Sequence, residues 1–156
     1  MAFNLSGRSL LTLKDYSAYE INYLLDLSDQ LKKYKNGGIF PKNLINKNVA
    51  LIFEKPSTRT RASMSLAMSN LGGFSMILNP GDLQLGRGET VGDTSRVLSG
   101  YFDFISARVN SHSTLEELRE FSRVPVINLL SDLEHPLQAI CDIYTIIEKF
   151  GKYRSI

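Results

Sequence analysis

The pattern of apolar and polar positions divides this chain into a leading helix followed by alternating strands and helices. Ser17 and Glu20 stand at capping-box spacing, with Tyr16 and Ile21 at the positions of a hydrophobic staple. Ile21, Leu24, Leu25 and Leu31 continue from that start as an apolar stripe of helical period. Lys32, Lys33 and Lys35 crowd the end, and Gly37-Gly38 stops the helix. The short apolar run Val49–Phe53 predicts a strand. A helix beginning near Thr58 places Met64, Ala67, Met68 and Leu71 at i, i+3, i+4, i+7 and is expected to bury them. Gly72-Gly73 ends it, and Phe74–Leu78 predicts the next strand. A third helix spans roughly Val91 to Tyr101, with Thr94, Val97, Leu98 and Tyr101 on one face. Phe102–Ala107 predicts a strand, Ser113 and Glu116 the cap of a short helix, and Val124–Leu130 another strand. Pro136 opens a last helix that turns Leu137, Ile140, Tyr144 and Ile147 inward and ends at Gly151.

Strand and helix repeated about four times specify an α/β fold: a three-layer sandwich with a central parallel sheet of about four strands and helices on both faces. Ligands of such sheets bind beyond the carboxyl ends of the strands. Three polar clusters follow strands directly and should converge there: Ser57–Arg61, Arg108, and His135–Gln138.

The first cluster carries the clearest chemistry. Pro56 separates strand from helix, so Ser57, Thr58, Arg59 and Thr60 crown a helix start with free N–H groups and a positive dipole end. Two kinds of hydroxyl and a guanidinium at that place suit a small phosphate dianion. No glycine-rich cradle is present, which excludes a P-loop or a dinucleotide fingerprint. The same residues also fit a capped helix with solvated arginines. Arg61 faces another way round the helix and reads as a structural ion-pair residue. Arg108 is either a crevice arginine or a surface strand end. His135 and Gln138 could read a carbonyl oxygen and an amino group, or could be a capping histidine beside an exposed glutamine. His112, in a polar turn, reads as a bystander. The loop from Asn79 to Thr90 is long and lacks periodicity. Its Gln84 and Arg87 belong either to a solvent loop or to a lid reaching a ligand in its own or a neighbouring subunit.

Composition narrows the class. The 156 residues are 43% hydrophobic and 22% charged, as in an ordinary globular domain. A net charge of +2 is too small to argue for nucleic acid or a membrane surface. The single cysteine, Cys141, excludes an internal disulfide and a cysteine metal cluster, and is expected to fill a buried helix face. Neither a signal-peptide core nor a bilayer-length apolar run occurs, so a cytoplasmic protein is expected.

Taken together the segments resemble the aspartate/ornithine carbamoyltransferases, and within them the ornithine branch. The carrying residues are Phe53-Glu54-Lys55-Pro56 running into Ser57–Arg61, then Leu71-Gly72-Gly73, Asp82–Glu89, Asp93-Thr94 with Arg96-Val97-Leu98, Arg108, and His135-Pro136-Leu137-Gln138. Lys55 and the Gln84-Leu85-Gly86-Arg87-Gly88-Glu89 loop look like the ornithine branch. The resemblance implies that residues 1–150 form a carbamoyl-phosphate-binding domain, that 151–156 begin an inter-domain connection, and that a second, amine-binding domain is absent. It implies carbamoyl phosphate held by Ser57, Thr58, Arg59, Thr60, Arg108, His135 and Gln138, with Arg108, His135 and Thr60 catalytic. Ornithine would bind through the absent domain, Gln84 would come from a neighbouring subunit of a homotrimer, and neither metal nor cofactor would take part. The complete enzyme would make citrulline and phosphate in arginine metabolism. Alternatives are the same domain of a carbamoyltransferase for putrescine or a modified ornithine, or a non-catalytic phosphate-ligand module. The sequence departs from the family's usual pattern at Leu137, where cysteine or threonine is common, at Ser63-Met64-Ser65, and at Gly100.

Overall fold

The computed structural model describes residues 4–84 and 88–151. Its elements are α1 (Ala18–Asn36), β1 (Asn48–Phe53), α2 (Arg59–Asn70), β2 (Phe74–Leu78), α3 (Val91–Tyr101), β3 (Phe104–Arg108), α4 (His112–Phe121), β4 (Val126–Leu130) and α5 (Pro136–Phe150). The four strands form one parallel sheet in the order β2-β1-β3-β4. The three-layer α/β expectation is met.

Alternation along the strands builds a core on each face. Ala50 and Ile52 of β1 join Ile105 and Ala107 of β3 under Leu98 of α3 and Leu115 and Leu118 of α4. Val49, Leu51 and Phe53 face the other way, toward Met68 of α2 and Leu137 of α5. The outer edge of β4 is occupied by the leading segment. Leu10 N–H donates to Val126 O at 2.9 Å and Leu10 O accepts from Asn128 N–H at 2.8 Å, which closes off that pairing edge.

The opening of α1 matches its capping box. Ser17 Oγ accepts from Glu20 N–H, and Glu20 Oε2 accepts from Ser17 N–H at 2.8 Å. Replacing Ser17 by Ala is expected to cost about 1 kcal/mol. A chemical-denaturation midpoint lowered accordingly, with unchanged slope, checks it.

Several expected details differ. On α3 the buried residues are Gly92, Thr94, Ser95, Leu98 and Ser99, while Val97 and Tyr101 are 53% and 75% exposed. Close packing against α4 selects small residues: a Cβ on Gly92 would lie 2.8 Å from the Phe121 ring, and Ser95 Oγ donates to Leu118 O at 2.5 Å. On α2 only Met68 is fully buried, Met64 and Leu71 are half-buried, and Ala67 is exposed. That helix lies along the sheet margin at β2, so one flank of its stripe is uncovered. Cys141 is exposed rather than buried, because it stands about 100° round α5 from the buried Ile140. The strand containing Phe104 starts two residues late, since Phe102 N–H still closes α3 on Leu98 O. β4 begins after Pro125, which has no N–H for the ladder. Helix α4 begins at His112, and its N-cap is Ser111 rather than Ser113; the His112 N–H is taken by Asp132 Oδ1 at 2.7 Å.

Candidate functional site

Three chain segments converge beyond the carboxyl end of the sheet around a pocket of about 620 Å³. From the β1–α2 junction come Ser57, Thr58, Arg59 and Thr60; from β3 comes Arg108; from the start of α5 come His135 and Gln138. All seven residues expected to share a ligand therefore line one cavity.

Two helix starts face this space, those of α2 and α5. Each contributes a positive dipole end, and α2 adds first-turn N–H groups without helical partners; on α5 Pro136 has no N–H and the Gln138 N–H is taken by His135. Thr58 is the N-cap of α2, yet its side chain makes no capping bond, so the hydroxyl is not spent on the helix. Helical bonding begins with Ala62 N–H to Thr58 O at 3.0 Å. Arg59 is exposed at the rim and brings a guanidinium to the same place.

Arg108 is held more firmly. Its partner in register on β1 is Phe53. On its other side Arg108 pairs with Leu130 of β4, after a register shift that leaves Leu129 of β4 as the extra residue. Glu54 then ties the two strand ends together: its N–H donates to Arg108 O at 2.9 Å and its Oε2 accepts from Asn110 N–H at 2.6 Å. The guanidinium Nη1 donates to Ser57 Oγ at 3.1 Å. Its Nε is buried and has no partner among the described residues. The strand-end arginine thus belongs to the pocket.

His135 is the N-cap of α5, ahead of Pro136, and its Nδ1 accepts from Gln138 N–H at 3.4 Å. That bond assigns the ring proton to Nε2, the nitrogen left for a ligand. Burial, and then the positive charge of Arg108, hold the imidazole below its usual range, against a smaller opposing pull from Asp142. The neutral ring is thereby favoured as an Nε2–H donor at neutral pH. The sign for stability follows: the unfolded chain takes up this proton first as pH falls, so the contribution of neutral His135 is intact above the ordinary imidazole range and is lost on acidification through it. His135→Gln is expected to flatten that part of the pH–stability curve between neutrality and mild acid, read from denaturant midpoints.

Gln138 is not idle. Its Nε2 donates to Asp142 Oδ1 at 2.8 Å, one turn along α5, leaving the carboxamide oxygen as its unspent group. The i, i+4 spacing of Gln138 and Asp142 was the signal for this pair. Arg61 is structural as expected, but its partner is neutral: Nη2 donates to Asn79 Oδ1 at 2.8 Å and the guanidinium lies 5.1 Å from the Phe53 ring centroid. Gln84 is exposed and does not line the pocket, while Leu85, Gly86 and Arg87 lie outside the described residues.

The pocket has an apolar floor, of which Leu137 was the part legible in the sequence. Met64, Leu130 and Leu137 line the pocket together with the exposed Cys141. Leu137 was legible as an inward residue of α5, and Cys141, four residues on, shares its face. The roles of Glu54 and Asn110 depend on where two strand ends meet, for which no local pattern exists. The cavity can take a small dianion bearing one planar polar group: two guanidinium groups, hydroxyls and helix starts for the anion, an imidazole N–H and a carboxamide oxygen beside it.

Residues 8–148 match the family model for the aspartate/ornithine carbamoyltransferase carbamoyl-P binding domain. An ornithine carbamoyltransferase of Sulfolobus acidocaldarius is 57% identical over 152 residues, 97% of this chain and 50% of the relative. The anabolic ornithine carbamoyltransferase of Pyrococcus furiosus is 49% identical over all of this chain and 50% of its own length. The solved structure of the Pyrococcus furiosus ornithine carbamoyltransferase superposes with a TM-score of 0.95 at 48% identity, covering 99% of this chain and 50% of that one. An aspartate transcarbamoylase from Trypanosoma cruzi, solved in complex with carbamoyl phosphate, gives 0.88 at 28% identity over 95% of this chain and 48% of its own. The chain spans about half the length of the relatives it matches.

Proposed function

The chain belongs to the aspartate/ornithine carbamoyltransferase family as its carbamoyl-phosphate-binding domain, and from that premise we propose that its pocket holds carbamoyl phosphate as one half of an ornithine carbamoyltransferase site. The observation that carries this reading is the convergence of Ser57–Thr60, Arg108, His135 and Gln138 on one cavity. The phosphate lies over the start of α2, held by Ser57, Thr58, Thr60 and Arg59. Arg108 bridges phosphate and carbonyl oxygen, and Thr60 and His135 Nε2–H polarise that oxygen. The Gln138 carboxamide oxygen accepts from the carbamoyl amino group.

In the complete enzyme the neutral ornithine amine attacks the carbamoyl carbon, a C–N bond forms as the C–O bond breaks, phosphate leaves with that electron pair, and the proton the amine loses passes to the phosphate. Donors fixed before the reaction, aimed where the oxyanion and the leaving phosphate gain charge, lower the barrier. Ornithine binds through a second domain outside these 156 residues. Gln84 serves a neighbouring subunit of a homotrimer; the exposed side chains of Phe74 and Met76 on the edge strand β2, and of Val97 and Tyr101 on α3, offer apolar surface for such a neighbour to cover.

Thermal melting in the presence of carbamoyl phosphate tests the proposal. A ligand that binds only the folded chain stabilises it by about 2.7 kcal/mol at a hundredfold excess over its Kd. Arg59→Ala removes a charge-assisted contact of about 2 kcal/mol, so about thirty times more ligand is expected to give the same shift. An equal response to inorganic phosphate alone would favour the non-catalytic phosphate module.

A further inference from the structure

His112 lies outside the pocket, at the start of α4, yet hydrogen bonding connects it to the residue that presents His135. The turn from Ser131 to Glu134 leads directly into His135. Ser131 is 7% exposed, and its hydroxyl gathers the turn: Oγ accepts from Leu133 N–H at 3.3 Å and from Glu134 N–H at 3.2 Å. The Glu134 carbonyl, one peptide before His135, accepts from Ser131 N–H at 3.1 Å and from Nδ2 of the fully buried Asn128 at 3.1 Å. His112 Nδ1 stands 2.8 Å from Ser131 Oγ.

Counting lone pairs decides where the Ser131 proton goes. A serine hydroxyl has one proton and two acceptor sites, and both acceptor sites are filled by the two N–H groups of the turn. The Glu134 carbonyl, 3.3 Å from Oγ, already receives two donors. The proton therefore belongs to the shorter contact, and His112 Nδ1 is an acceptor. A donor at that position would demand a third acceptor site that the hydroxyl lacks, and one of the turn's N–H bonds would be lost.

We propose that His112 is a positioning residue for His135: by taking the Ser131 hydroxyl proton it fixes the 131–134 turn, and so holds the His135 ring with Nδ1 on Gln138 N–H and Nε2 toward the ligand. The carbamoyl-phosphate reading supplies the ligand for which His135 is positioned; the relay itself is a property of the unliganded chain.

The chain has two histidines, so replacing His112 leaves His135 as the sole imidazole in a nitrogen NMR spectrum. In the ligand-free wild type the two His135 ring nitrogens are expected at the well-separated shifts of one neutral tautomer. His112→Leu removes the acceptor, and the two shifts are expected to draw together as the tautomers mix. His112→Asn, whose Oδ1 can replace the Nδ1 acceptor, restores the separation. Calorimetric affinity for carbamoyl phosphate falls about tenfold in His112→Leu, the equivalent of one hydrogen bond, and returns to within about twofold of wild type in His112→Asn. Ser131→Ala, a smaller change of shape, is expected to match His112→Leu on both readings and decides the matter if the leucine variant does not fold. A folded His112→Leu or Ser131→Ala protein with the wild-type His135 spectrum would overturn the relay. Failure of wild type to bind carbamoyl phosphate would instead overturn the functional reading, and the ring spectrum would still judge the relay.

Discussion

Arg108→Ala is expected to lower the affinity for carbamoyl phosphate by about a hundredfold or more, a loss of about 3 kcal/mol. The size follows from how the side chain is held. Strand pairing to Phe53 and Leu130 and the Glu54 clamp fix the backbone on either side of it. Its Nη1 is tied to Ser57, itself a phosphate ligand in this account, and the buried Nε has no partner among the described residues. Little ordering entropy then remains to be lost on binding. Removing the guanidinium deletes a contact to the phosphate, a contact to the carbonyl oxygen and the tether on Ser57 together. Lysine would restore the charge but not the planar fork, so Arg108→Lys should recover only part of the loss. Calorimetry on variants with an intact circular-dichroism spectrum checks both. A loss smaller than threefold in Arg108→Ala would remove Arg108 from the site.

The second large effect concerns turnover. The 156-residue chain alone is expected to form no citrulline above the uncatalysed background, whereas the same chain joined to an amine-binding second domain of the family should form it from ornithine. The pocket holds groups for a phosphate and a carbonyl, but none of its lining residues is acidic, so nothing in it pairs with ornithine's α-ammonium. An unplaced amine forgoes the several kcal/mol that a near-attack geometry supplies. Citrulline from the chain alone at a saturable rate would contradict this. Turnover of the joined protein with putrescine but not ornithine would move it to another branch of the family.

Local patterns in the sequence carried most of the architecture because the relevant forces are local. The capping box at Ser17–Glu20, the glycine stops and the apolar runs of β1 and β2 each act within a few residues. Errors arose where a partner element decides. On α3 periodicity favoured Val97 and Tyr101, but the close approach of α4 admits only small residues, so Gly92, Ser95 and Ser99 take the interior. Cys141 was judged by residue type, and the orientation of α5 placed it on the pocket side instead.

The candidate site shows the same division. Residue types after the strands pointed to Ser57–Thr60, Arg108 and His135–Gln138, since a parallel sheet brings all its carboxyl ends to one edge. What holds those residues in place joins positions far apart in the chain. Glu54 with Asn110 spans 56 residues and His112 with Ser131 spans 19, and no spacing rule reaches that far. His112 is the plainest case: as a residue in a polar turn it had no visible work, and only the fold sets it against Ser131.

This pocket is expected to recognise the carbamoyl group as well as the phosphate. The most direct measurement is calorimetric titration of the chain with carbamoyl phosphate beside an identical titration with inorganic phosphate. Saturable one-site binding of carbamoyl phosphate is expected, tighter than phosphate by at least about tenfold, because the carbonyl and amino contacts to His135 and Gln138 add to those of the anion. That excess should shrink in His135→Ala, by about the tenfold of one hydrogen bond, while phosphate affinity changes little. Equal affinities for the two ligands in a folded sample, or an excess unchanged in His135→Ala, would show that the pocket does not read the carbamoyl group.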